Sequence, residues 1–191
     1  MSASSETGPF AGELLPGEQI LWAGQPDPSV LFGPGDLFLV PFSVLWGGFA
    51  LFWEAGVLRS GRNGHGVPLF FALWGVPFVL AGLYFIAGRF VYKRRLKLNT
   101  YYAVTNRRVL IRAGLMRHDV RSLYIGSLPS IERTIRRSGT GSIIFGGGSP
   151  FGSWYANSGM EIFAVGRGAV PLGFFDIPDC RRVYDLIVGL R

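Results

Sequence analysis

Cysteine, histidine and charged residues are all scarce in this chain. One cysteine, Cys180, and two histidines occur among 191 residues, and 16% of the residues are charged. A single cysteine forms no internal disulfide, which fits a reducing compartment. We expect Cys180 to be a small buried apolar residue on the last helix. Neither histidine has a second histidine or a cysteine at the spacing of a metal site, so no metal site is predicted.

Motifs of catalytic sites are missing as well. The glycine-rich residues 139–152 (GTGSIIFGGGSPFG) lack the Gly-Lys-Ser/Thr ending of a phosphate-binding loop, and no dinucleotide fingerprint precedes a helix. No Gly-x-Ser-x-Gly elbow occurs, and the acidic residues of the C-terminal half form no pair suited to acid–base catalysis. We therefore predict no catalytic residues, no cofactor and no enzymatic activity.

Two long apolar stretches are the most informative feature that is present. Residues 37–53 form 17 uncharged positions and residues 67–88 form 22. The hydrocarbon core of a bilayer is about 30 Å thick and a helix rises about 1.5 Å per residue, so about 20 apolar residues make one span. The sequence predicts a two-span transmembrane α-helical hairpin: helix 1 at 37–58, with Glu54 near the interface, an external loop at 59–66 and helix 2 at 67–92.

Basic residues are distributed unevenly, which predicts the orientation of the hairpin. Residues 1–58 hold six acidic residues and no Lys or Arg, whereas residues 89–191 hold 17 basic and six acidic residues. Lys and Arg at span ends favour the cytoplasmic side, so both termini are predicted to be cytoplasmic. No nucleic-acid partner is predicted, because anionic lipid attracts basic residues beside a span. The residues predicted to anchor the chain at the membrane surface are Arg89, Lys93, Arg94, Arg95 and Lys97.

The remaining residues indicate a mainly-β cytoplasmic domain at 98–191, preceded by an N-terminal cytoplasmic arm at 1–36. Apolar and polar residues alternate as in antiparallel strands at 100–105, 108–112, 119–124, 130–136, 142–145 and 160–165. Residues 174–177 are predicted to lead into an amphipathic C-terminal helix that Asp176 or Asp179 caps. The arm has a strand pattern near 18–24. We expect residues 19–23 to pair with the domain's sheet, because Ile20 and Trp22 need burial.

Several segments together resemble the bacterial pleckstrin-homology-like domain family, in particular its membrane-anchored members. They are residues 17–26 (GEQILWAGQP), 102–111 (YAVTNRRVLI) with Gly114, 130–131 (SI), 139–145 (GTGSIIF) and 175–179 (FDIPD). The resemblance covers about residues 14–30 and 98–190. It implies a PH-like antiparallel barrel or sandwich capped by a C-terminal α-helix, in a protein of the bacterial cytoplasmic membrane. It also implies a binding or assembly module.

The arginines around two strands form the candidate ligand face. Relatives of the fold bind phosphoinositides near the first turn, although their lysine-containing pattern is missing here. The face consists of two groups: Arg107, Arg108 and Arg112 at the first β-hairpin, and Arg133, Arg136 and Arg137 at the fourth strand. An alternative interpretation is a solvated sheet face whose charges protect an edge.

Three functions remain open from the sequence. The leading hypothesis is a non-enzymatic, membrane-anchored scaffold whose sheet binds a protein partner or its own copies. The second is a domain that binds anionic phospholipid through the arginine face. The third is an oligomeric hairpin that acts as a channel or transporter accessory, although the spans contain no polar stripe to line a pore.

Overall fold

The fold consists of a helical hairpin and a two-sheet domain with a C-terminal helix, which is the predicted fold class. The computed structural model describes residues 8–33, 35–62, 69–115, 119–146, 157–160 and 171–191. Residues 63–66 of the predicted external loop and residues 161–165 of the predicted strand at 160–165 lie outside the described residues.

The hairpin is formed by two long apolar helical segments. Helix α1 is Asp36–Arg62. Helix α2, Leu69–Leu83, continues through a π-helical turn, Tyr84–Gly88, into α3, Arg89–Leu98. By length and composition, Asp36–Gly61 and Leu69–Leu98 are both able to cross a membrane. Their outer faces expose large apolar side chains, among them Leu37, Phe52 and Leu69, which are 87%, 77% and 73% exposed.

Glycine allows α1 and α2 to approach closely. A Cβ atom on the buried Gly82 would lie 2.8 Å from the Cα of Gly47, so a side chain there would push the helices apart. Small residues at helix crossings are typical of packing in membranes. Beside this crossing, the ring of Trp46 on α1 contacts that of Phe78 on α2, with ring centroids 6.2 Å apart.

Seven strands form two antiparallel sheets with the orders β1-β2-β3-β4 and β5-β6-β7. The strands of the first sheet are β1 (Ile20–Gly24), β2 (Tyr101–Thr105), β3 (Arg108–Ala113) and β4 (Asp119–Tyr124). Those of the second are β5 (Ile131–Ile135), β6 (Gly141–Phe145) and β7 (Leu172–Ile177). Ala23 lies opposite Ala103 and Gly24 opposite Tyr102. This register confirms the prediction that the arm pairs with the sheet.

The hydrophobic core is formed by both sheets and the C-terminal helix α4, Cys180–Gly189. Phe174 is central, because its ring stacks on Tyr102 at a centroid distance of 4.6 Å and contacts Trp22 at 5.7 Å. Cys180 is fully buried against this core, as its apolar character predicts. On the other face of the first sheet, the arm contributes the buried Phe10, which packs with Ala103 and Leu110.

Residues 174–177 lead into the C-terminal helix as predicted. The structure adds that they belong to a strand, β7, with Phe174 opposite Ile143 of β6, which the sequence reading did not assign. A short apolar run does not distinguish a buried strand from the start of a buried helix by periodicity alone. Helix α4 begins after Asp179, whose side chain makes no capping hydrogen bond. Asp176 lies inside β7 and is buried, so it does not cap the helix.

Candidate functional site

One face of α3 carries basic side chains that are buried against the rest of the chain. Arg89, Lys93 and Lys97 recur every four residues, so they lie on the same side of the helix. Arg89 Nη1 donates to Asp36 Oδ1 at 2.5 Å, at the start of α1, and both side chains are buried. Lys93 Nζ donates to the Leu31 carbonyl at 2.7 Å. The π-helical turn directly precedes Arg89. Its extra residue per turn rotates the side chains of α3 about the helix axis relative to those of α2.

Lys97 ends this face in an ionic cluster around the buried Asp176. We call this cluster the junction, and its members are Lys97, Arg136, Asn157 and Asp176. Lys97 Nζ lies 2.6 Å from Asp176 Oδ2, and the two side chains are 4% and 1% exposed. Arg136 Nη1 donates to the other carboxylate oxygen of Asp176 at 2.8 Å, and Asn157 also donates to Asp176. Lys97 Nζ donates further to the Val30 carbonyl at 2.6 Å. The junction therefore joins α3, the arm and the second sheet.

The structure thus divides the five predicted membrane anchors. Arg89, Lys93 and Lys97 are buried and bind acceptors within the protein, so their charge does not face lipid. Arg94 and Arg95 are exposed on the opposite side of α3. For these two residues, anchoring at a membrane surface remains a prediction.

The first arginine group is largely covered by the arm. Glu18 forms a bidentate pair with Arg108, with Oε1 2.8 Å from Nε and Oε2 2.9 Å from Nη2. Thr105 Oγ1 donates to Glu18 Oε1 at 2.7 Å. Arg112 donates to the Pro9 carbonyl. Only Arg107 of this group is fully exposed, at the turn between β2 and β3.

The pKa of Glu18 reflects this arrangement. The hydrogen bond from Arg108 is the largest of several interactions that lower the pKa of Glu18 from 4.5 to about 2. Because the folded pKa lies below the ordinary value, the pair stabilises the fold fully above about pH 4.5. This stabilisation is lost as the pH falls toward 2, where the folded carboxylate takes up its proton.

We expect Glu18→Gln to lower the free energy of unfolding by about 2 kcal/mol at pH 7, because one buried charge-assisted hydrogen-bond pair is lost. The difference from wild type should shrink at pH 3, where the wild-type pair is already weakened. Pulse proteolysis of the full chain in detergent, across a urea series, measures both values. Glu13→Gln is the matched control, since Glu13 is exposed and accepts its hydrogen bond from Arg108 through its backbone carbonyl. A pH-independent difference would contradict this account.

The second arginine group is split between different contacts. Arg133 lies over the Tyr184 ring at 4.4 Å and 3.5 Å from Asp185 of α4. Arg136 belongs to the junction, and Arg137 is exposed in the turn after β5. The two groups lie on different sheets, and most of their arginines bind acceptors within the chain. They therefore do not form one continuous basic surface.

Sequence reasoning missed the acidic partners of these basic residues. Glu18, Asp36 and Asp176 are each buried and bind a basic side chain. The four-residue spacing of Arg89, Lys93 and Lys97 could have indicated that one basic face of the helix is buried. Basic residues that are only solvated do not need to lie on a single face. The partners themselves lie 53 to 90 positions away along the chain, beyond any local pattern.

The site's chemistry is ionic and structural. Within the described ranges, no group of three His, Cys, Asp or Glu side chains is placed to hold a metal ion. The buried ion pairs fix the direction of α3 relative to the sheets. The exposed arginines and the sheet edges are the surfaces that these pairs do not occupy.

Comparison with known proteins gives a family match. The family model described as Bacterial PH domain matches residues 42–190, which is most of the chain and includes the larger part of the hairpin. The arm with β1 precedes the matched region. No curated protein and no solved structure matches the chain significantly.

Proposed function

The chain belongs to the bacterial PH domain family, and we propose on this basis that it is a non-enzymatic binding module anchored in the bacterial cytoplasmic membrane. The observation that carries this proposal is the position of the hairpin within the sheet. Strands β1 and β2 are neighbours in the sheet, yet the complete hairpin lies between them in the sequence. The chain leaves the sheet at Gly24 and returns opposite that residue at Tyr102.

This insertion supports two crossings rather than one. A chain that departs from and returns to adjacent strands must come back to the same side of a membrane. The exposed apolar faces of α1 and α2 would be costly in water, since large contiguous apolar surfaces mark membrane or protein contacts. Phe32, which is 64% exposed, extends this apolar surface, and its ring lies 5.2 Å from that of Phe90.

Reporter fusions test the topology. We expect reporters at residue 1 and residue 191 to lie in the cytoplasm and a reporter at residue 62 to lie outside. The exposed Arg94 and Arg95 bias this orientation, and pairing of β1 with β2 requires both termini to share a side. A C-terminal reporter outside, or a reporter at residue 62 in the cytoplasm, would overturn the proposal.

The domain's binding surface is proposed to be the edge strand β4. Among the strands that the structure describes, it is the last of the first sheet, and it is mostly exposed, including Tyr124 at 54%. An unpaired strand edge accepts an added strand from a protein partner or from a second copy. Anionic phospholipid is a less favoured ligand, because Arg108, Arg112 and Arg136 are already engaged within the chain.

Mass measurement of the full chain in lipid nanodiscs tests this surface. We expect a dimer or higher species, and we expect Ser122→Lys with Tyr124→Lys to shift at least about tenfold more chain to the monomer, because edge lysines oppose strand pairing. Ser138→Lys, in an exposed turn, is the matched control. A wild-type chain that remains monomeric would exclude self-association. Unchanged assembly in the β4 variant would exclude this edge.

A further inference from the structure

A segment of the arm, residues 8–15, lies across the outer face of the first sheet. We call this segment the strap. Its short helical turn, Gly8–Phe10, places the Phe10 side chain against Ala103 of β2 and Leu110 of β3, and all three are buried. These contacts are separate from the main core, which lies on the other face of the sheet. The strap therefore covers an apolar surface that the sheet would otherwise expose.

The sheet holds the strap through the two kinds of contact that a peptide site needs. Arg112 donates to the backbone carbonyl of Pro9, and Arg108 Nη2 donates to the backbone carbonyl of Glu13. Every peptide carries such carbonyls, whereas the apolar contacts of Phe10 select one side chain. Main-chain hydrogen bonds that give affinity and a side-chain site that gives specificity are typical of peptide recognition.

The strap is attached at few points, which favours its exchange. Of residues 8–17, Phe10 alone is buried. The backbone hydrogen bonds of the strap are local, from Ala11 to Gly8 and from Glu13 to Phe10. A segment with one buried side chain and an exposed backbone opens at a lower free energy than the core does. Gly17, with a φ of 75°, follows the strap and provides a hinge that glycine adopts without strain.

We propose that the outer face of the first sheet is a peptide-binding surface, which the strap occupies until an aromatic peptide segment of a protein partner displaces it. The occupant seen here is itself a peptide, and both arginines meet uncharged carbonyls of it. Glu18 lies beyond the hinge, so its pair with Arg108 remains when the strap leaves. This pair neutralises Arg108 and disfavours a free anion as the ligand. The surface is distinct from the β4 edge and does not depend on the membrane position of the hairpin.

Binding of a labelled strap peptide to the full chain in detergent tests this surface. The probe is a fluorescent peptide with the sequence of residues 8–15 (GPFAGELL), and anisotropy measures its binding. Phe10→Asp opens the internal strap, because a carboxylate among apolar side chains lacks a partner. We expect this variant to bind the peptide at least about tenfold more tightly than wild type, whose surface is free in only a minor fraction of molecules. Ala11→Asp, the same charge at the next and exposed position, should bind as weakly as wild type.

A second change tests the sheet side of the contact. Arg112→Gln added to Phe10→Asp should weaken peptide binding by about tenfold, because the Pro9 carbonyl loses its donor. Phe10→Ala provides a second opened chain if circular dichroism shows that Phe10→Asp does not fold.

Three results would overturn the peptide surface and leave the membrane anchor and the β4 edge untouched. The first is equal binding to wild type and to the opened chain. The second is equal binding of a peptide with the same residues in scrambled order, which reports partition into detergent. The third is displacement of the peptide by an excess of inorganic phosphate, which would assign the arginines to an anion instead.

Discussion

Replacing Asp176 with asparagine is expected to lower the free energy of unfolding by about 4 kcal/mol, because Lys97 then remains buried without its counter-ion. Lys97 is 4% exposed and its Nζ lies 2.6 Å from the Asp176 carboxylate. Arg136 loses the same partner. Asparagine is chosen because Asp176 has a φ of 49°, a conformation that Asn tolerates as well as Asp does. Pulse proteolysis of the full chain in detergent across a urea series measures the change.

Asp179→Asn provides the control for this experiment. Asp179 lies three residues away with a φ of 51°, but it is exposed. We expect its substitution to change stability by less than about 0.5 kcal/mol. Adding Lys97→Met to Asp176→Asn should recover part of the loss, because the uncompensated charge is removed. Equal stability of the Asp176 and Asp179 variants would mean that the junction does not hold the domain to α3.

Trp22→Ala is expected to lower the free energy of unfolding by about 3 kcal/mol, because it removes a large ring from the core. Trp22 belongs to the arm, yet its ring packs against Phe174 of β7 at 5.7 Å. The same proteolysis measurement applies. Leu21→Ala is the matched control, since Leu21 directly precedes Trp22 on β1 and is 45% exposed. If the two variants were equally stable, the arm would be a linker rather than part of the domain.

These two expectations concern the same property of the molecule. The arm supplies β1 and the carbonyls that bind Lys93 and Lys97, and α3 supplies the lysines. The hairpin is therefore connected to the domain at two places, through the sheet and through the junction. Such a connection holds the domain at a fixed position relative to α3, which suits the proposed role of a membrane-anchored binding module.

The charge pattern alone did not distinguish the two faces of α3. Composition shows a basic segment after the second apolar stretch, and the positive-inside rule counts its residues equally. In the fold, Arg94 and Arg95 are exposed while Lys93 and Lys97 are buried. The difference arises because acceptors from the arm and from β7 lie on one side of the helix. Burial of a lysine depends on those distant acceptors, which no local window contains.

Elements whose signals are local could be predicted from the sequence. Apolar length predicted two helices, alternation with a turn at Asn106 predicted the β2–β3 pair, and apolar spacing predicted α4; the family resemblance pointed to the PH-like arrangement that the family match supports. Only contacts between distant elements placed Asp176 in a strand, paired Glu18 with Arg108 and formed the aromatic groove between α1 and α2. Periodicity reports which face of an element is apolar. The partner of a buried charge comes from an element far away in the chain. Because a buried charge without a partner is strongly destabilising, only a fold that supplies the partner is stable.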